Sequence, residues 1–240
     1  MSNLKYIFAQ PDYIDGIGNI YPIKLKNYDE FQKISQILYV SKNHFVETEI
    51  PLLGLIILGS EYLGLTYESI IVYFEKIFSI TLKENVKCCV VSDKFWFQCG
   101  EDRKIDIYNY DTIRSAIMKQ NLMFEQKVYK NPKVQEWADK TIKAKSKNSN
   151  ITLEDIITTV SVYKGVHYND LMDYTLYQLY SDFYRIRKMK KYDTDIIFRS
   201  VSDKVTVEDF AESVNLFHNP YDDLFVDKGK LSKLNKVFGK

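Results

Sequence analysis

Residues 151–193 read ITLEDIITTVSVYKGVHYNDLMDYTLYQLYSDFYRIRKMKKYD, and this stretch decides the fold class of the chain. Thr152 and Asp155 have the spacing of a helix-capping box, with Asp in place of the usual Glu, and Gly165 ends the first predicted helix. A longer helix follows, with Thr175 and Gln178 beside its apolar stripe. The stripe repeats at helical spacing through Leu171, Tyr174, Leu179, Phe183 and Ile186. We expect this helix to end in the cations of 185–191, which favour the negative end of a helix dipole.

Helical patterns continue on the N-terminal side of this stretch. One begins at Asn27 or Asp29 and runs to about Phe45, and a buried helix covers Leu52 to Leu65 after Pro51. Further helices are predicted after the Thr66 cap, over Asp111 to Phe124, from Asn131-Pro132 onward, and over Thr206 to Leu216. The chain is therefore predicted to be mostly α-helical, with a helical bundle at its C-terminal end.

Two short β-regions interrupt the helices. The runs Lys5 to Ala9 and Ile20 to Leu25 are β-prone, and the DGIGN turn that starts at Asp15 separates them, which predicts an N-terminal hairpin. Three more short runs between residues 86 and 108 predict a small antiparallel meander. The predicted fold class is α+β, predominantly helical.

The segment KAKSKNSN, residues 143–150, is polar and basic and has no apolar anchor, which is typical of a linker. It divides the chain into an α+β region over residues 1–146 and a helical region over residues 151–240. A simple loop within one domain is the alternative interpretation of the same segment.

The composition excludes several classes of protein. With 33 basic and 32 acidic residues the net charge is +1, so no global field draws the chain to nucleic acid or to an anionic membrane. The N-terminus lacks a signal-peptide pattern, and the longest apolar run is too short to span a bilayer. Cys88, Cys89 and Cys99 have no CxxC spacing, which indicates reduced thiols in a cytoplasmic protein.

No group of residues has the spacing of a catalytic or metal site, so we expect no enzyme activity and no cofactor. His167, Asp170 and Asp173 fall about one turn apart, but acids in a first helical turn are explained by the helix dipole. The DGIGN run lacks the remaining elements of a phosphate-binding loop. The basic run Arg185 to Lys191 could contact nucleic acid, although a solvated helix end is the stronger interpretation.

Two segments, Tyr21 to Phe45 and the decisive stretch Ile151 to Asp193, resemble proteins encoded in the tail gene clusters of phages that infect low-GC Gram-positive bacteria. Such proteins are described as tail assembly chaperones or structural proteins. The resemblance implies a role in virion morphogenesis, in which tail or tape-measure subunits are held soluble without a cofactor. It implies a location in the host cytoplasm, with the virion as the alternative, and it supplies no catalytic residues.

The amino-acid composition is consistent with a binding role, since 19 Tyr and 14 Phe give the chain a high aromatic content. An aromatic helix stripe can enter a groove on a partner or pack against a second copy. The predicted contact residues are Trp137, Tyr174, Tyr177, Leu179, Tyr180, Phe183 and Tyr184. Burial in the chain's own core is the competing interpretation for Leu179 and Phe183. Three functions remain open: an assembly chaperone, a permanent connector or baseplate subunit, and an undetected enzyme.

Overall fold

The computed structural model describes residues 3–42, 45, 49–92, 94–125, 127, 129, 131–147, 151–219 and 222. The helices are α1 Leu4–Ile7, α2 Tyr28–Ile34, α3 Leu52–Leu58, α4 Tyr67–Leu82, α5 Tyr110–Gln120, α6 Pro132–Lys147, α7 Leu153–Lys164, α8 Tyr168–Leu171 and α9 Leu176–Arg199. The strands are β1 Asp12–Ile14, β2 Gly18–Ile20, β3 Val86–Val91, β4 Lys94–Cys99 and β5 Arg103–Ile105. The predicted fold class, α+β and mainly helical, is confirmed.

The N-terminal hairpin is present, but its strands differ from the predicted ones. Strands β1 and β2 pair antiparallel from Asp12 opposite Ile20 to the turn, where Gly16 has a φ of 73° that suits glycine. The predicted strand Lys5 to Ala9 is wrong, because α1 covers most of it. Its helical bonds include the one from Phe8 N to the Leu4 carbonyl at 3.0 Å.

Helices α2 to α4 occur where the hydrophobic periodicity predicts helices, but the one predicted over Leu52 to Leu65 is shorter, because α3 ends at Leu58 and a 3₁₀ helix covers Ser60–Leu63. Thr66 caps α4 as predicted, with its hydroxyl oxygen accepting from the amide of Ser69 at 3.2 Å. The helix predicted to run to Phe45 is shorter, because α2 ends at Ile34 and a 3₁₀ helix continues over Ser35–Tyr39. The side chain of Asn27 makes no cap hydrogen bond.

The predicted meander is confirmed as a three-stranded antiparallel sheet in the order β3-β4-β5. Phe97 on β4 lies opposite Cys88 on β3 and Ile105 on β5. Its ring is fully buried and meets Phe78 of α4 edge-to-face, with the ring centroids 5.2 Å apart. This aromatic contact attaches the sheet to the main core, and such pairs add about 1 kcal/mol beyond the buried area.

The C-terminal helices form around a second, smaller core. Thr152 and Asp155 make the predicted capping box of α7, and Gly165 ends that helix in the left-handed conformation. The single long helix predicted from Leu171 is wrong, because α8 stops at Leu171 and a new helix, α9, begins after Thr175.

The far end of α9 also differs from the prediction. The helix was expected to end in the cations of residues 185–191, yet it continues to Arg199, so these cations lie in the middle of the helix. The helix predicted over Thr206 to Leu216 is wrong, because this segment has turns and irregular structure. Its carbonyls at Phe210 and Glu212 accept hydrogen bonds from Arg185 of α9 rather than from a helix of their own.

The chain divides into two compact units, one of residues 1–125 and 152–216 and the other of residues 126–151 and 217–240. Within the predicted linker, α6 continues to Lys147, so the first five residues of that segment are helical and residues 148–150 lie outside the described chain. The division into regions 1–146 and 151–240 stays a prediction.

Candidate protein-binding surface

Helix α9 carries most of the predicted contact residues, and its start is fixed by a reciprocal cap. The amide of Thr175 donates to the Gln178 side-chain oxygen at 2.9 Å, and the Thr175 hydroxyl accepts from the Gln178 amide at 3.3 Å. Backbone amides of a first helical turn have no partner inside the helix, so this cap satisfies groups that would otherwise stop the helix from forming.

The first half of α9 faces the second core. Leu179 and Phe183 are buried there with Ile186, against Ile156 and Val160 of α7. The structure therefore places these two predicted contact residues in the chain's own core, which was the competing interpretation for both.

Tyr177 is also buried, at 4% exposure. Its ring packs on Tyr6 of α1 at a centroid distance of 5.4 Å, and burial raises the pKa of its hydroxyl. Next to it, the Gln178 side-chain amide donates to the Ile7 carbonyl at 2.8 Å. Helix α1 thus covers this part of α9.

Tyr174, Tyr180 and Tyr184 keep accessible surface. The Tyr174 hydroxyl accepts from Lys164 at 3.0 Å, and Lys164 also binds Asp182 at 2.7 Å, which raises the pKa of the lysine. Tyr180 is half-buried, with a pKa raised by burial. Its ring lies 6.3 Å from that of Tyr184, which is 36% exposed.

Trp137 lies on α6, in the other compact unit, and is 48% exposed. The same helix carries an ion pair between Lys140 and Glu136 at 2.6 Å, one turn apart. The indole is thus accessible on a helix that also exposes charged residues.

A cleft of about 370 Å³ opens between α1 and the first half of α9. Ile7, Tyr174, Tyr177 and Asp182 are among the residues that line it. Its charged groups already have partners, since Asp182 binds Lys164 and the neighbouring Arg185 donates to backbone carbonyls. The cleft is therefore a poor candidate for a charged small molecule.

The cations in the middle of α9 fall into two groups. Lys188 pairs with Glu212 at 3.1 Å, and Lys191 pairs with Asp195 at 2.7 Å. Arg187 and Lys190 instead lie over aromatic rings: Arg187 is 5.7 Å from the ring centroid of Phe183, and Lys190 is 5.4 Å from that of Tyr163. Within the described part of the chain, neither of these two cations has a carboxylate partner.

The end of α9 exposes an apolar cluster that the sequence pattern does not predict. We name it the α9 tip; it consists of Ile196, Ile197 and Phe198 at the end of the helix and of Val201 just beyond it, which are 45%, 67%, 56% and 81% exposed. Three consecutive apolar residues on a helix cover more than half of its circumference, so one core cannot bury them all. That run, placed between Asp195 and Arg199, is the signal that could have revealed the cluster.

The residues considered for metal binding are used elsewhere. The Asp170 carboxylate accepts from the His167 amide at 3.2 Å at the start of α8, and Asp173 binds Lys24 and Lys26. Among the described residues, no three His, Cys, Asp or Glu side chains form a group that could hold a metal ion. His44 lies outside the described residues.

The part of the chain that the structure describes also contains no helix long and apolar enough to cross a membrane.

Residues 143–215 match the family model of the YomV second domain. This range contains α7, α8 and α9. It therefore includes the cap of α9, the half-buried tyrosines and the α9 tip. The match covers less than a third of the chain, so it describes the C-terminal helices rather than the whole protein.

The SPbeta prophage-derived protein YomV of Bacillus subtilis (strain 168) is 33% identical to the chain over 110 residues. The aligned part is 46% of this chain and 47% of that protein, so the similarity spans about half the length of the relative. No solved structure matches the chain. Both similarities point to a phage-derived protein, which confirms that part of the resemblance, whereas the assignment to tail assembly stays a prediction.

Proposed function

We propose that the protein is a phage tail assembly chaperone that binds tail or tape-measure subunits in the host cytoplasm. The observation that carries the proposal is the α9 tip, a group of large apolar side chains left in solvent at the end of a helix that is capped and buried only in its first half. Soluble proteins rarely leave such clusters uncovered, and those that do commonly use them to bind another protein.

The position of the α9 tip suits transient binding of a partner protein. The first half of α9 is fixed by α1 and α7, so the second half is presented on a rigid support and little conformational entropy is lost on binding. Exposed apolar side chains of a helix, such as Ile197 and Phe198, are also what helix-in-groove recognition uses. The proposed role is binding alone, and it assigns neither catalysis nor a cofactor to the chain.

The prophage relationship supports the proposal, because tail proteins must be kept from premature assembly during phage morphogenesis. A connector or baseplate subunit would use the same surface permanently. The two roles differ in whether the protein remains in the finished particle.

The test compares purified virions with infected-cell lysate. We expect mass spectrometry to find the protein absent from virions and, after affinity purification from lysate, bound to tail components. Ile197→Asp should abolish this capture, whereas Val162→Asp, at a 77% exposed position on α7, should leave it intact. A fixed copy number of the protein in the virion would favour the structural role. If Ile197→Asp bound tail components as well as wild type does, the α9 tip would not be the binding surface.

A further inference from the structure

After α9, the chain turns back and runs along the same helix. We call residues 203–214 the strap; the structure describes all of them, and none is buried. As the strap continues, its contacts move from the end of α9 towards the middle of that helix, so the two segments run antiparallel. The contacting residues of α9 are three, four or seven positions apart and therefore lie on one helix face. They are Arg199, Tyr192, Lys188 and Arg185.

Charged side chains of α9 make most of these contacts. Arg185 donates to the backbone carbonyl of Glu212 at 3.2 Å, and Lys188 binds the carboxylate of the same residue at 3.1 Å. Near the start of the strap, Arg199 donates to the Val205 carbonyl at 3.2 Å. The strap is thus attached near both of its ends through cations of α9.

Apolar contacts add little to this attachment. The Phe210 ring meets Tyr192 of α9 edge-to-face at a centroid distance of 5.2 Å, but it remains 41% exposed. Val205 and Val214 are only half-buried. Segments that bury few apolar side chains open at a far lower free energy than a packed core does. We therefore expect the strap to open without the helices beneath it.

The charges of the two segments are complementary. Residues 185–191 of α9 contain five cations and no acidic residue, whereas the strap contains four acidic residues and one lysine. Lys191 lies 3.4 Å from Glu208 of the strap, although it already binds Asp195 of its own helix. Salt weakens the attraction between exposed charges, since the screening length falls from about 8 Å at 0.15 M to about 3 Å at 1 M ionic strength.

We infer that the strap is an electrostatic latch, which closes on α9 at low ionic strength and detaches as a unit at high ionic strength while α7 to α9 stay folded. Arg185 and Val214 both line the cleft between α1 and α9, so the closed strap forms part of the wall of that cleft. Detachment removes this part of the wall and frees Arg185 and Lys188 from Glu212. The latch therefore controls access to the cleft, and this role is independent of the proposed binding of tail subunits.

The test measures the distance between the strap and α7 with two spin labels. The labels are placed at Val162→Cys on α7 and at Ala211→Cys on the strap, both exposed positions, after Cys88→Ser and Cys89→Ser. Cys99 is kept, because it is fully buried. Double electron–electron resonance is recorded at about 20 mM and about 1 M NaCl. We expect one narrow distance distribution at low salt and a several-fold larger share of long, broadly distributed distances at high salt, with the helical circular dichroism unchanged.

Two variants test whether the charges hold the strap. Lys188→Glu should raise the share of long distances already at low salt, and adding Glu212→Lys should restore the narrow distribution, because it rebuilds the ion pair with its charges exchanged. The matched control is Lys33→Glu, which makes the same change in net charge at an exposed position of α2 and should behave as wild type does.

A narrow distribution that persists at about 1 M NaCl would overturn the inference, because apolar contacts would then hold the strap. Long distances in the wild-type protein at low salt would overturn it as well, since the strap would not be closed. The same holds if Lys33→Glu opens the strap as readily as Lys188→Glu, or if Glu212→Lys fails to close it again.

Discussion

The Asp173 carboxylate accepts a hydrogen bond from the ammonium group of Lys24, 149 residues earlier in the chain, at 2.8 Å. Lys26 binds the same oxygen at 2.9 Å. The backbones beside them are also joined, since the Leu25 amide donates to the Tyr174 carbonyl at 2.8 Å. This connection ties the segment after the hairpin to the break between α8 and α9, and so holds the start of α9 in place.

The first prediction concerns the pH dependence of this connection. The two lysines lower the pKa of Asp173 from its ordinary value of 3.8 to about 2. A lowered folded-state pKa stabilises the fold above pH 3.8, and this contribution is lost as the pH falls towards 2. We expect Asp173→Asn to be less stable than wild type at neutral pH and the difference to vanish near pH 2.

Urea unfolding at a series of pH values measures this difference. Asp102→Asn removes an exposed carboxylate that has no ion pair among the described residues, and it should show no comparable convergence. The prediction would be contradicted if the free energies of unfolding of Asp173→Asn and wild type differed by the same amount at every pH in the acid range.

The second prediction separates the buried half of α9 from its exposed half. Phe183 is 7% exposed and Ile197 is 67% exposed. Phe183→Ala leaves a cavity in the second core and should lower the free energy of unfolding by about 3 kcal/mol. Ile197→Ser should change it by less than about 0.5 kcal/mol while weakening client capture.

Chemical denaturation of both variants checks these values. If Ile197→Ser lowered the free energy of unfolding as much as Phe183→Ala does, the α9 tip would be part of the core. That result would remove the structural basis for the proposed binding surface.

Part of the fold could be predicted from local patterns in the sequence. The capping residues Thr66, Thr152 and Asp155 have hydrogen-bond partners within a few residues in the sequence. The three meander strands are separated by short turns. Both features could therefore be predicted. The break before α9 was not, because the backbone of 172–175 bonds to residues 24–26, and no local pattern encodes a partner so distant.

The candidate site was less predictable for the same reason. Leu179 and Tyr184 lie on one helix with similar apolar character, but only tertiary packing makes the first buried and the second exposed. The sequence does not predict the α9 tip, because the cations of 185–191 predict that the helix ends before it. The ion pairs of Lys188 with Glu212 and of Lys191 with Glu208 come from a segment for which the sequence predicted a helix of its own.

The third prediction concerns the cap of α9. Thr175 is 1% exposed, and its hydroxyl accepts from the Gln178 amide. Thr175→Ala leaves that amide without its cap and should cost about 1 kcal/mol of stability. Thr194→Ala is a matched control in the same helix, because the Thr194 hydroxyl only donates to the Lys190 carbonyl of its own helix. If the two variants proved equally stable, the reciprocal cap would not be what fixes the start of α9.

The fourth prediction concerns the thiol of Cys99, which is fully buried on β4. Burial raises its pKa to about 11, so only about one thiol in a thousand is ionised at pH 8, and the thiolate is the reactive form. We expect iodoacetamide at pH 8 to leave Cys99 unmodified in the native protein and to modify it fully in guanidinium chloride, as read by peptide mass spectrometry. Because β4 is the central strand of the sheet, rapid native labelling would mean that the sheet opens far more often than a strand packed on Phe78 should.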